Sequence, residues 1–112
     1  MNELLRALHN EAMRLAQNAI YLKEVGDDIE ANALNIKAFE IEKRAAMCLL
    51  ENKDKEPTRS VLFRSAANLA YGCGMFQEAE EMALHGLDGN PPDEIKDELN
   101  EVLKVAIDGA KL

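Results

Sequence analysis

The chain has 112 residues, a length typical of a single domain spanning residues 1–112. It carries 21 acidic and 13 basic residues, a net charge of −8, which disfavours general nucleic-acid binding because phosphate neutralisation requires clustered Lys and Arg. The same charge disfavours docking to anionic membranes and favours solubility. A basic partner is one explanation of the charge, but we interpret it as the Glu that helices carry on their solvent-exposed faces. No apolar run approaches the roughly 18 residues of a membrane-spanning helix, the N-terminal residues do not resemble a signal peptide, and the two cysteines lack paired spacing. We therefore expect a cytoplasmic protein with reduced thiols.

The first half of the chain has the periodicity of two long helices. Apolar residues at steps of three or four predict a helix over residues 3–24, capped by Asn2 and ended by Gly26. Asp27, with Glu30 in a capping-box pattern, begins a second helix over residues 28–51. The expected inward residues of the first helix are Leu4, Leu8, Ala12, Leu15, Ala19 and Leu22. Those of the second are Ala31, Leu34, Ala38, Ile41, Ala45 and Cys48.

The second helix has further apolar residues off its main stripe, namely Ile36, Phe39, Met47 and Leu50. A helix with so wide an apolar arc usually packs between two others.

The second half predicts three shorter helices separated by turn residues. After the charged loop 52–56, Pro57 or Thr58 opens a third helix that reaches residue 71. A fourth helix over residues 76–88 follows the glycine turn 72–74, and a fifth over residues 93–107 follows the Gly-Asn-Pro-Pro turn 89–92, with fraying after it. No segment alternates like a strand, and short connections make sequential helices antiparallel neighbours. The sequence therefore predicts an all-α fold of five antiparallel helices.

Residues 60–91 resemble one tetratricopeptide (TPR) repeat, a helix–turn–helix unit of about 34 residues. The positions that match the family pattern are Phe63, Ala66, Ala67, Gly74, Phe76, Ala79, Gly86, Leu87 and Pro91. Ala70 and Ala83 stand where the family has larger residues, so the copy is degenerate. Residues 12–39 resemble a second hairpin more weakly, through Gly26, Asp27, Ala31 and Ala38. The resemblance implies TPR-like helical hairpins in which small residues at Ala67, Ala79 and Gly86 allow close helix approach, with a C-terminal capping helix.

Two other architectures remain open at this point. The long paired helices with Ala-rich spacing are also similar to three-helix MIT (microtubule-interacting and transport) domains. An unrelated bundle of five helices is the remaining alternative, because short motifs match by chance.

No combination of residues predicts catalysis, a cofactor or a metal site. His85 lies four residues after Glu81 on one helix face, but no third ligand is evident, so we interpret it as a surface histidine. Ser60 and Ser65 lack the turn that presents a nucleophile. Cys73 sits between two glycines, just before a helix N-terminus, and we interpret it as a buried packing residue.

A candidate partner-binding groove follows from the TPR resemblance, because the first helix of each repeat lines the concave face of the family. The residues at matching positions are Arg64, Ser65, Asn68 and Tyr71. Arg64 and Asn68 also resemble one element of the carboxylate clamp with which some TPR proteins hold a peptide C-terminus. The alternative is a surface Arg64 paired with a nearby acid.

The sequence thus predicts a non-enzymatic protein–protein interaction module, an adaptor or scaffold that binds a peptide or partner helix through a helical groove. Self-association is expected because two hairpins and a cap fall short of the three repeats that a stack needs. A helical-bundle enzyme or metal-binding protein, and a small regulatory or antitoxin-like protein, remain alternatives.

Overall fold

Five α-helices account for most of residues 1–111, the part of the chain that the computed structural model describes, and none of these residues forms a strand. The helices are α1 (Glu3–Glu24), α2 (Asp28–Met47), α3 (Thr58–Gly72), α4 (Phe76–Leu87) and α5 (Asp93–Ala110). Each helix contacts the next one along the chain, and α5 also contacts α3. The prediction of an all-α fold with five antiparallel helices is confirmed.

Both glycine turns end a helix in the same way. Gly26 has a φ of 90°, and the N–H of Asp27 donates to the carbonyl of Leu22 at 2.8 Å. Gly74 has a φ of 74°, and the N–H of Met75 donates to the carbonyl of Ala70 at 2.9 Å. A left-handed glycine followed by this bond satisfies carbonyls that a helix end would otherwise leave unpaired. The turns therefore reverse the chain within a few residues and produce tight hairpins.

Side-chain caps fix the starts of the first two helices. The Asn2 side chain accepts a hydrogen bond from the N–H of Leu5 at 2.8 Å. Asp27 accepts from the N–H of Glu30 at 3.2 Å, which is the first half of the predicted capping box. Each cap satisfies one of the free N–H groups of a helix start.

Small residues lie where the later helices cross. Ala67 and Ala79 are fully buried, and so is Gly86 on α4. A Cβ atom added at Gly86 would lie 2.9 Å from a side-chain carbon of Leu99 and 3.1 Å from the Cβ of Phe63. The α4 backbone therefore approaches α3 and α5 as closely as the sequence predicts, with Phe63, Met82 and Leu99 filling the surrounding core.

The described residues form a flat body with principal extents of 42 × 37 × 19 Å. A thickness of 19 Å is about that of two helix layers. Much of each helix consequently lies close to one of two broad faces, and the grooves between helices open onto these faces.

Four boundary or burial predictions are wrong. The first two concern α2 and its C-terminal cysteine. Helix α2 ends at Met47 instead of residue 51, because the chain tightens into turns in which the N–H groups of Leu49 and Leu50 donate to carbonyls three residues earlier. Cys48 is exposed rather than inward, since it lies at the helix end where the helical spacing no longer applies.

The other two concern the outer helices. Leu4 is 62% exposed and Leu5 is buried in its place, because both residues are in step with Leu8 and periodicity alone cannot separate them. Helix α5 continues to Ala110 instead of fraying after residue 107, and the ring of Phe76 lies against Gly109 in its last turn. Leu112 falls outside the described residues.

Candidate functional site

A groove of about 410 Å³ lies between α3 and α5 on the surface of the protein. Its lining residues are Asn68 and Tyr71 from α3, and Glu98, Glu101, Val102 and Val105 from α5. The groove exists because α3 and α5 contact each other while both also pack on α4. Two of the four residues that the sequence analysis selected, Asn68 and Tyr71, therefore line one depression together.

The groove combines polar and apolar lining residues. Asn68 is exposed, and Tyr71 is 40% exposed while its ring stacks at a tilt on Phe76, with the ring centres 5.6 Å apart. The stacking fixes the Tyr71 ring on one side and leaves part of it open to solvent. Two carboxylates, Glu98 and Glu101, line the opposite side. Exposed tyrosines beside apolar residues are typical of protein interaction sites.

The other two selected residues are engaged by neighbouring side chains. Arg64 Nη1 donates to Glu98 Oε1 at 3.0 Å. Arg64 thus pairs with an acid of α5, which is the alternative to the carboxylate clamp. Ser65 lies beside the buried carboxylate of Glu42. Neither residue lines the groove itself, and the Arg64 guanidinium that would hold a peptide carboxylate already has an anionic partner.

The C-terminal third of the chain carries most of the net negative charge. Residues 76–112 contain ten acidic and three basic residues, whereas the remaining 75 residues contain eleven acidic and ten basic residues. Helix α5 alone carries six acidic and two basic residues. The field over the α3–α5 groove is therefore set mainly by the carboxylates of α5.

A second hollow, of about 460 Å³, lies between α2 and α4 and belongs to the wide apolar arc of α2. Phe39 and Met47 of α2 and Met75 of the turn before α4 form its apolar part. Phe39 is buried and the two methionines are half-buried. Charged side chains of both signs surround it, among them Glu40, Lys43, Arg44 and Glu78.

A buried acid joins the first three helices. The side chain of Glu42 on α2 is fully buried, and its Oε2 lies 2.6 Å from Nδ1 of His9 on α1. Burial raises the pKa of Glu42, while the Ser65 hydroxyl on α3 and the His9 ring lower it by smaller amounts. Glu42 Oε1 makes no hydrogen bond of good geometry with any described residue. Glu42 was not among the residues predicted from the sequence. Its position between Ala38 and Ala45 on an apolar stripe is the feature that indicates a buried acid.

A buried arginine joins the ends of α2 and α4. The guanidinium of Arg59 donates to the carbonyls of Leu49, Leu50 and His85, at 3.1, 3.0 and 2.9 Å. It lies 5.0 Å from the centre of the Phe63 ring, an arrangement that favours a cation–π interaction. The sequence analysis missed Arg59. Its position in the first turn of α3 is the feature that could have revealed it. A cation there is disfavoured by the helix dipole and needs another partner.

Two further reactive side chains, His85 and Cys73, lie in the second hairpin. His85 Nε2 lies 3.6 Å from Glu81 Oε1 on the surface of α4. Cys73 is half-buried, and burial raises the pKa of its thiol, which disfavours the reactive thiolate. Across residues 1–111, no three His, Cys, Asp or Glu side chains cluster as metal ligands would, and no helix is long and apolar enough to span a bilayer.

No protein-family model matches the chain, and neither the curated proteins nor the solved structures yield a match.

Proposed function

We propose that the protein is a non-enzymatic interaction module, a cytoplasmic adaptor or scaffold built from TPR-like hairpins, which binds a peptide or partner helix in the α3–α5 groove. The observation that carries this proposal is the groove's composition: the exposed Tyr71 and Asn68 of α3 lie opposite the half-buried Val105 and the 4% exposed Val102 of α5. A rigid aromatic with a polar neighbour supplies contact area at low cost in side-chain entropy. The scaffold supports the same function, because the surrounding core fixes the spacing of α3 and α5.

A selection experiment tests the groove. A random peptide display library is selected on the wild-type protein, and the bound pool is compared with a variant that combines Asn68→Ala and Tyr71→Ala. We expect the pool to bind this variant about tenfold more weakly, the usual effect of truncating an interface anchor. The control is Leu84→Ala, which removes an exposed apolar side chain of α4 outside the groove. A pool that binds all three proteins equally, or no enrichment at all, would contradict the proposal.

Self-association is part of the same proposal. The end of α1, the turn after it and the start of α2 expose four large apolar side chains: Ile20, Tyr21, Val25 and Ile29. Ile29 is 88% exposed, although isolated apolar side chains on a surface are common. A second copy of the chain would extend the stack of hairpins beyond the two that one copy supplies. Sedimentation as a strict monomer at high protein concentration would refute this part of the proposal.

A further inference from the structure

We propose that the ligand of the α3–α5 groove is a short cationic segment of a partner protein, in which one Lys or Arg stands beside aliphatic residues. This inference rests on the proposed function and specifies the chemistry of the ligand at the same site. It differs from the carboxylate-clamp expectation in the sign of the charge that the groove accepts.

The charges around the groove favour a cation. Both charged residues that line it, Glu98 and Glu101, are acidic. The nearby Arg64 is paired with Glu98, whereas Glu101 makes no ion pair with any residue from 1 to 111. An incoming carboxylate would have to displace Glu98 from Arg64 and would face repulsion from Glu101. An incoming ammonium or guanidinium group finds Glu101 available and leaves the Arg64–Glu98 pair intact.

The apolar parts of the groove fit the rest of a Lys or Arg side chain. These side chains carry long aliphatic stems that cover apolar surface while the charged head stays in water. The half-buried Val105 supplies most of this surface near Glu101 on α5, because Val102 is only 4% exposed. Tyr71 is 40% exposed and lines the same groove, so its ring is within reach of a cation bound there, an interaction that is strongest for Arg. Asn68 can both donate to and accept from the backbone of an extended peptide.

The dimensions of the groove limit the ligand to a few residues. Glu98 and Val105 mark the two ends of the α5 side, and seven residues of helix span about 10 Å. An extended chain covers this distance with about three residues. One cation with an aliphatic residue on each side therefore fills the site.

The test uses two display libraries of peptides about eight residues long, identical except that the central residue is fixed as Lys in one and as Glu in the other. We expect the Lys library to be enriched on the wild-type protein and the Glu library to be enriched much less. The enriched peptides are then measured individually against Glu101→Lys and Asp108→Lys. Both substitutions reverse one carboxylate on α5, but Asp108 lies outside the groove. We expect Glu101→Lys to weaken binding about fivefold and Asp108→Lys to change it little, because screening limits the reach of exposed charges.

Two results would overturn the inference. One is stronger enrichment of the Glu library, which would indicate an anionic ligand held by Arg64. The other is equal weakening by Glu101→Lys and Asp108→Lys, which would indicate attraction to the overall charge of the protein. In either case the proposed function survives if the selected peptides still lose binding to the protein carrying Asn68→Ala and Tyr71→Ala. Peptides that bind this double variant as tightly as the wild type would instead refute the proposal that the groove is the binding site.

Discussion

At the scale of single residues, the buried Glu42 carboxylate gives the protein a characteristic pH dependence. Its pKa is raised in the folded state, mainly by burial, so its contribution to stability is complete below the unfolded-state pKa and decreases as pH rises through the folded-state pKa. We expect the free energy of unfolding of the wild type to fall relative to Glu42→Gln as the pH rises above about 4.3, the ordinary pKa of a glutamate. Urea denaturation across this range measures the difference.

The control for Glu42→Gln is Glu40→Gln, which removes the same charge from an exposed position on the same helix. Parallel stability curves for the wild type and Glu42→Gln would contradict the expectation. They would mean that the nearby His9 and Ser65 offset the effect of burial completely.

Arg59 is the residue whose replacement should cost the most stability. Arg59→Lys keeps the charge but cannot donate to three carbonyls in a planar fork, so buried acceptors lose their partners. We expect a loss of about 3 kcal/mol in the free energy of unfolding, measured by urea denaturation. Arg14→Lys, at an exposed pair with Glu11, should change it by less than about 0.5 kcal/mol. A loss at Arg59 no larger than at Arg14 would show that water replaces the guanidinium.

At the scale of helices and turns, two glycines that look alike in sequence should respond oppositely to alanine. Gly86→Ala would place a Cβ within 3.1 Å of Leu99 and Phe63, forcing α4 away from its neighbours. We expect it to lower the free energy of unfolding by about 1–3 kcal/mol, despite the better helix propensity of Ala. At Gly72, at the end of α3, a Cβ meets no atom within 4 Å, so Gly72→Ala should be neutral or slightly stabilising. Thermal melting of both variants distinguishes them, and equal melting temperatures would argue against close approach at Gly86.

Local signals in the sequence predict most of the helices but only part of the site. Gly26, Gly74 and the proline turn mark boundaries because their backbone requirements are local. The end of α2 was missed because the carbonyls of Leu49 and Leu50 are held by Arg59, which follows them in sequence. The acidic side of the groove was also missed because it depends on residues distant in sequence. Glu98 and Glu101 line the same groove as Tyr71 only when α5 packs on α3. Periodicity within one helix cannot reveal such pairings.

At the scale of the whole molecule, charge and shape are both uneven. The acidic excess belongs to the last third of the chain, and the body is less than half as thick as it is long. A flat body exposes more groove per residue than a sphere of the same volume, and an uneven charge orients an approaching partner before contact. We therefore expect a cationic partner to associate faster with the α5 side, and this preference to fade in high salt.

The Arg59 guanidinium affects how the protein unfolds. It links the chain segment that follows α2, at the open end of the first hairpin, to the last turn of α4 in the second. If either hairpin separates there, the guanidinium and the carbonyl groups lose the hydrogen bonds between them. The two halves should consequently behave as one cooperative unit in amide hydrogen exchange, although separate pairs of helices form them.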